Sequence, residues 1–291
     1  MKLLKKKNKF HLLSHIVLII VSVLIAIPFY LLFVASFTDN DWAIVHGFTF
    51  WPGKWSLVAY QYLISQLKFF GKAYLITICV TVSGVIISVT ITAMCAYMLA
   101  QKDLPGKRIL MFFIIFTMLF NGGMVATYIN YTQVFHLKNT YLAYLLPNYL
   151  CSAMNIILIR SYFLSAIPIE LLESARIDGA SEMKCFIKIV LPLSKPILAT
   201  VALLTGIVYW NDWQNGAYYI NDNSMMGIQN ILNSINNNSS YMNYLTQGSG
   251  STPTITMRLA IAVIGILPLM IAYPFFQKYF VKGITLGAVK G

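Results

Sequence analysis

Charge is what this sequence has least of. Asp and Glu number nine and Lys and Arg 21 in 291 residues, so 10% of the chain is charged while 58% is hydrophobic. A soluble domain carries about 25% charged residues, and a water-exposed globular fold is excluded. Histidine and cysteine are equally sparse, with four of each. His11, His15, His46 and His136 are scattered with no HExxH spacing, and Cys79, Cys95, Cys151 and Cys185 show no close pairing. The chain therefore offers no disulfide framework, CxxC metal site or nucleophile–base motif on which to build an enzyme. It also lacks a GxxxxGK[ST] phosphate loop, so it does not bind ATP in that way.

What the chain has is long apolar runs. A helix needs about 20 apolar residues to cross a hydrocarbon core of about 30 Å. Stretches 14–37, 73–100, 109–127, 141–159, 196–220 and 259–276 qualify; the fifth holds Asp212 and the others no Asp, Glu, Lys or Arg. Ile27-Pro28-Phe29-Tyr30 offers no small-residue cleavage site, so the first run is read as a retained anchor.

Basic residues collect on one side of these runs. Lys2, Lys5, Lys6, Lys7 and Lys9, then Lys102, Lys107 and Arg108, then Arg160, Arg176, Lys184, Lys188 and Lys195, and finally Lys278, Lys282 and Lys290 share a side if both termini are inside. The opposite side holds only Lys54, Lys68, Lys72, Lys138 and Arg258. This asymmetry predicts an all-α, polytopic membrane protein of six transmembrane helices with cytoplasmic termini. Residues 1–13 then form a cytoplasmic anchor, 14–277 the membrane domain and 278–291 a cytoplasmic tail. The net charge of +12 concerns orientation and anionic lipid; no nucleic acid is expected as a partner.

Several local patterns bear on packing. Gly84, Ser88, Thr92, Ala96 and Ala100 recur every four residues on one helix face, which lets a neighbouring backbone approach closely and predicts a central helix. Asn121-Gly122-Gly123 closes the third run and permits a broken helix where protein or water satisfies the freed backbone. Trp51-Pro52-Gly53 reads as a turn, 57–67 as a helix on the outer side, and the Asn-rich outer loop 221–254 as containing a surface helix within 225–245.

The cytoplasmic segment 168–192 is the most structured of the connections. Pro168 suits a first helical turn, and Glu170 and Glu173 place negative charge near the positive end of the helix dipole. Leu171, Leu172 and Ala175 gather on one side, with Glu173 and Arg176 elsewhere. Gly179 stops the helix, Ser181 caps a second one over 182–190, and Leu191-Pro192 ends it. The expected product is a helix–turn–helix with a short apolar ridge for a partner's groove.

The spacing Glu173-Ser174-Ala175, three residues, Gly179, nine residues, Ile189, one residue, Leu191-Pro192 resembles the EAA loop of binding-protein-dependent ABC importer permeases, with Ser174 where alanine is usual. Asn121-Gly122-Gly123-Met124 with Thr127-Tyr128, the run Tyr209-Trp210-Asn211-Asp212-Trp213 and the tail 282–291 are similar to the carbohydrate branch, in particular the shorter six-span permease of maltose-type oligosaccharide importers. The resemblance implies the type I importer permease fold and a translocation subunit that is not itself an enzyme. Its partners would be a second homologous permease, two copies of a cytoplasmic ATPase, an extracytoplasmic solute-binding protein and lipid, in a bacterial plasma membrane. ATP and Mg²⁺ would sit on the ATPase, with no cofactor on this chain. Glu173, Ser174, Ala175, Asp178, Gly179, Ile189, Leu191 and Pro192 would couple to that ATPase, and the small, flexible C-terminal ending could reach toward it.

For the substrate path, Asp212 with Asn211 and Trp213 offers hydrogen bonds and a flat apolar face to a sugar, and Tyr128 and Asn155 are further candidates. The same residues also suit an aromatic belt or a helix cap near the outer interface, and the sequence leaves both roles open. Two other functions stay in view: an ABC permease for a non-sugar solute, and a secondary transporter working alone. Against the latter stands the lack of matching inverted halves and of a buried carboxylate cluster.

Overall fold

The computed structural model describes residues 2–147, 149–237 and 254–288. Its helices are α1 (Lys2–Ser36), α2 (Asn40–His46), α3 (Val58–Ser65), α4 (Leu67–Ala100), α5 (Lys107–Leu119), α6 (Gly123–Ile129), α7 (Leu142–Leu145), α8 (Ala153–Ala166), α9 (Ile169–Ile177), α10 (Glu182–Cys185), α11 (Leu191–Leu193), α12 (Lys195–Trp210), α13 (Gln214–Tyr219), α14 (Ile228–Asn237) and α15 (Thr254–Ala288). Wider π turns extend α6 over Asn130–Val134 and join α10 to α11 over Phe186–Val190. Among the described residues the only β pairing is an isolated bridge between Thr38 and Trp55. The chain divides into two compact units, Met1–Lys68 with Leu232–Leu267, and Phe69–Ile231 with Pro268–Gly291.

In the first unit the segment after α1 folds back on the helix end. The Phe37 and Tyr60 rings stack at 4.5 Å, the Ser36 and Tyr60 hydroxyls lie 2.7 Å apart, and Lys54 pairs with Asp39 at 3.0 Å. Gly53 lies so close under the Trp42 indole that a Cβ would sit 2.9 Å from its nitrogen. The turn at Trp51-Pro52-Gly53 and the helix expected over 57–67 are both present, the latter as α3.

The second unit is built on α4. Gly84, Ser88, Thr92 and Ala96, four of the five small residues spaced along it, are all buried. A Cβ on Gly84 would meet the Tyr209 ring of α12 at 2.6 Å. Toward the other end, Ala93, Ala96 and Leu99 pack with Ile156, Ile159 and Phe163 of α8, Phe186 and Val190 of the π turn, and Ile197 and Val201 of α12. Small side chains bring the backbones close enough for the large ones to interlock, which is how apolar helices associate without a hydrophobic drive.

Three helices are individually long and apolar enough to cross a membrane: His11–Ser36 within α1, α4, and Ile255–Phe275 within α15. Three bent pairs of shorter helices bring the number up to six by length and composition. The third apolar run is broken as the paired glycines suggest: α5 and the α6 segment meet at 113°, Gly123 has φ +80, and its N–H donates to Asn121 Oδ1 at 2.9 Å. The fourth run differs from expectation. Hydropathy places a helix over 141–159, but α7 is one short turn, and the long helix starts at Ala153 and runs on to Ala166. Pro147 supplies no N–H to α7, which ends there. The carbonyls left behind are taken by side chains: Tyr209 Oη donates to Leu145 O at 2.8 Å, Asn215 Nδ2 to Pro147 O at 3.2 Å and Ser88 Oγ to Tyr149 O at 3.4 Å.

Within the loop 221–254, α14 buries Ile228, Ile231 and Ile235, spaced to share one face. The loop's remaining part, 238–253, lies outside the described residues. The chain is helical through Ala288, with Pro268 and Pro274 inside α15; 289–291 lie outside the described residues.

Tyr209 is 2% exposed and tethered through its hydroxyl, so it cannot swing away from a side chain at position 84. Gly84→Leu is expected to destabilise the detergent-solubilised protein by about 1–3 kcal/mol through overpacking. Ile86→Leu, at an exposed position of the same helix, is expected to leave thermal unfolding unchanged. Equal melting curves for the two variants would contradict the close approach.

Candidate functional site

The hairpin begins where α8 stops. Ile167 precedes Pro168 and is held extended at φ −107, ψ 114, so the chain turns through 79° into α9. Glu170 lies in the first turn of α9. At the far end Gly179 has φ +79, its N–H bonds Arg176 O at 3.0 Å, and the Ala180 N–H bonds Ala175 O at 2.9 Å. Those two bonds are the paired closure of a Schellman turn, which needs a left-handed residue at this position. Ser181 then caps α10, its Oγ accepting from Lys184 N at 3.4 Å.

The second helix does not end at Leu191-Pro192 as expected; it continues to Leu193 and turns at Ser194, 81° from α12. The π turn accounts for the continuation. Leu191 N–H reaches five residues back to Phe186 O, and the wider turn accommodates the next residue, Pro192, which has no N–H to give.

Exposure sorts the hairpin residues. Glu173, Ser174, Asp178, Gly179 and Pro192 are exposed, while Ala175, Ile189 and Leu191 are half-buried. Two residues swap sides relative to the sequence reading: Leu172 packs inward with Ala175, but Leu171 is exposed and Arg176 is half-buried. Ile177, which the sequence reading passed over, is 87% exposed at the tip of α9. Its signal was an isoleucine one residue before the helix-ending Asp178-Gly179, on the side of the charged residues.

Arg176 turns inward because it has partners there. Its Nε donates to Glu182 Oε1 at 2.6 Å, and Nη2 donates to Gln101 Oε1 at 2.7 Å and to Glu182 Oε2 at 3.2 Å. Tyr97 Oη donates to the same Glu182 Oε2 at 2.7 Å. The Arg176 guanidinium, and after it the Tyr97 hydroxyl, hold the Glu182 carboxyl below its ordinary range. This cluster walls a hollow of about 620 Å³, with Met94, Met98, Leu104 and Phe186 as its apolar lining.

Of the path candidates, Asn211, Asp212 and Trp213 follow the end of α12 in the second unit. Asp212 is 8% exposed; its Oδ1 accepts from Asn215 N at 3.0 Å and from Tyr149 Oη at 3.3 Å, and its buried Oδ2 has no hydrogen-bond partner among the described residues. It thus pins the start of α13 to the chain before α8. Asn211 is exposed and bonds back to Ile207 O, and Trp213 is 39% exposed. Tyr128 stacks on Tyr219 at 5.8 Å in the neighbouring aromatic cluster. Asn155 stands apart from these, bonded to Thr205 Oγ1 at 3.4 Å between α8 and α12.

Residues 86–286 match the family described as "Binding-protein-dependent transport system inner membrane component". The chain is 37% identical over 289 residues to the polygalacturonan/rhamnogalacturonan transport system permease protein YtcP of Bacillus subtilis (strain 168), covering 98% of this chain and 100% of the relative. It is 30% identical over 287 residues to the trehalose/maltose transport system permease protein MalG of Thermococcus litoralis, covering 96% and 98%. Among solved structures, a chain from a bacterial ABC transporter involved in the import of the acidic polysaccharide alginate superposes with a TM-score of 0.79. That chain is 31% identical, and the match covers 94% of this chain and 97% of that one.

Gly179→Asn is expected to keep the hairpin closed, since asparagine tolerates the left-handed region, whereas Gly179→Val is expected to cost about 1–2 kcal/mol. Hydrogen exchange at the Gly179 and Ala180 amides reads the difference, and equal protection in both variants would contradict the turn. Asp212→Ala strands the Asn215 N–H and the Tyr149 hydroxyl, so it is expected to lower stability by about 1–3 kcal/mol. Unchanged melting would remove Asp212 from this structural role.

Proposed function

Because the chain belongs to the family of binding-protein-dependent transport system inner membrane components, we propose that it is the permease subunit of an ATP-driven carbohydrate importer. The observation that carries this reading is the hairpin: two short helices closed by a Schellman turn and presenting Glu173, Ser174, Ile177 and Asp178 outward. A polar crown with one protruding isoleucine suits a cleft on a soluble subunit, the apolar anchor giving grip and the carboxylates a register.

In this reading the hairpin docks on a cytoplasmic ATPase, present in two copies, and ATP and Mg²⁺ are bound there. The six apolar runs span the membrane with both termini inside. The unburied apolar face of α1 and the exposed Phe112, Phe113 and Phe116 of α5 are left for lipid and a second permease. A solute-binding protein delivers substrate on the outer side. Oligosaccharides are the favoured cargo, since the relatives' names and the matched structure concern saccharides. Asn211, Asp212, Trp213, Tyr128 and Asn155 are the candidates to meet it on this chain. Trp213 and Asn211 are the most accessible of the five, and Asp212 acts chiefly by holding them.

The test is uptake into vesicles containing this chain, its partner permease and the ATPase, supplied with loaded binding protein. Oligosaccharide uptake is expected only with ATP and binding protein both present. Glu173→Lys and Ile177→Asp are expected to reduce ATPase co-purification about tenfold while membrane insertion is kept. Uptake by this chain alone would instead identify a secondary transporter, and uptake of a non-sugar solute would move it to another branch of the family.

A further inference from the structure

A hairpin that receives a push must be fixed to something stiff, and its covalent attachments are not. It leaves α8 through the 79° bend at Ile167-Pro168 and rejoins α12 through the 81° bend at Ser194. Both are short, non-helical joints, and a body hung on two hinges swivels before it transmits force.

The other attachments are non-covalent: Phe186 and Val190 pack on Ala93, Ala96 and Leu99 of α4, and beside them stands a polar joint. Arg176 on α9 and Glu182 on α10 pair at 2.6 Å and bond Gln101 and Tyr97 at the end of α4. The same end of α4 is fastened from two more directions: Arg160 Nε of α8 donates to Leu99 O at 3.0 Å, and Lys107 Nζ donates to Gln101 O at 2.7 Å. These cations take carbonyls that the helix end leaves free, where positive charge is favoured.

α4 is also built to carry load. Of the three long helices it alone contains no proline, whereas α1 holds Pro28 and α15 holds Pro268 and Pro274. From Gln101 it runs without a break for ~25 Å to Gly84, where it bears on the Tyr209 ring. Tyr209 is in turn bonded to Leu145, and Asp212 lies three residues on.

We propose that the Arg176–Glu182 pair, seated on Tyr97 and Gln101, is the joint that locks the coupling hairpin to α4, and that α4 delivers the hairpin's displacement to the Tyr209–Asp212 end of the unit. All four are positioning residues: none needs to touch ATPase or cargo. The inference rests on the importer reading given above.

The experiment uses the complete importer in vesicles with loaded binding protein and measures oligosaccharide moved per ATP hydrolysed. Arg176→Glu and Glu182→Arg are each expected to lower that ratio about tenfold while hydrolysis continues. The exchange R176E/E182R is expected to recover most of it, because the Gln101 amide presents a donor as readily as an acceptor and the Tyr97 hydroxyl can accept. Single variants with the wild-type ratio, or an exchange as poor as either single, overturn the proposal. Should the charge variants fail to assemble, Tyr97→Phe and Gln101→Leu take their place, and an unchanged ratio in both overturns it. The wild-type importer is run beside them. If it shows no ATP-driven uptake the importer reading itself fails, whereas normal uptake with unaltered ratios removes only the joint.

Discussion

A backbone carbonyl freed among apolar helices must find a donor inside the protein, and that requirement organises the second unit. The chain between α7 and α8 gives up helical bonding around Pro147. It is tolerated because Tyr209, Asn215 and Ser88 each reach across to one of the alternate carbonyls of Leu145, Pro147 and Tyr149. Each of those donors needs its own support. Tyr209 sits where it does because Gly84 has no side chain to displace it, and Asn215 is held by Asp212 through its backbone N–H. Small residues on α4, a broken fourth run and a buried carboxylate are therefore one arrangement rather than three features.

At the opposite end of α4 the same economy of polar groups serves a different purpose. The Schellman closure at Gly179 consumes the free ends of α9, Ser181 consumes a donor of α10, and the Arg176–Glu182 pair consumes the side-chain acceptors of Gln101 and Glu182. What remains outward is Glu173, Ile177 and Asp178, together with Ser174, whose hydroxyl only bonds back to Leu171 O at 3.1 Å. An isolated surface ion pair contributes little to stability. This one has bidentate geometry, an amide and a phenol around it, so its contribution is better sought in orientation than in melting temperature.

Much of the hairpin was legible because its signals are local. Gly179 at a left-handed position and Ser181 as a cap are each dictated by residues within a few positions, and the structure has both; Pro168, expected in the first helical turn, stands one place earlier as the extended N-cap. The small-residue face of α4 was legible for a similar reason, since a four-residue repeat is a helix face whatever packs on it. The failures share the opposite property. Gln101 and Tyr97 lie 75 and 85 positions from the groups they bond, so local spacing sets Leu171 beside Leu172 and Ala175 with Arg176 elsewhere, whereas Arg176 is the one half-buried with them and Leu171 is exposed. Hydropathy registered 141–159 as one run because it measures apolarity and not whether Pro147 can continue a helix. The sequence neighbours of Asp212 suit both a path role and a cap. Only Tyr149, far along the chain, and the Asn215 N–H reveal which bonds the carboxylate makes.

The contrast between α4 and its neighbours bears on how such a chain can switch between two states. The elements beside it are jointed: α5 and α6 meet at 113°, α8 and α9 at 79°, and α11 and α12 at about a right angle. Joints allow rearrangement at little cost, but they also dissipate a local displacement. A protein made only of them would move without transmitting, and one made only of straight helices would transmit without moving. Here the two properties are separated by sequence: paired glycines and prolines at the joints, and an uninterrupted rod of 34 residues in α4 with polar fastenings near its C-terminal end and a ring packed on Gly84. The prolines and glycines that weaken the other segments are thus as much a part of the mechanical design as the stiffness of α4.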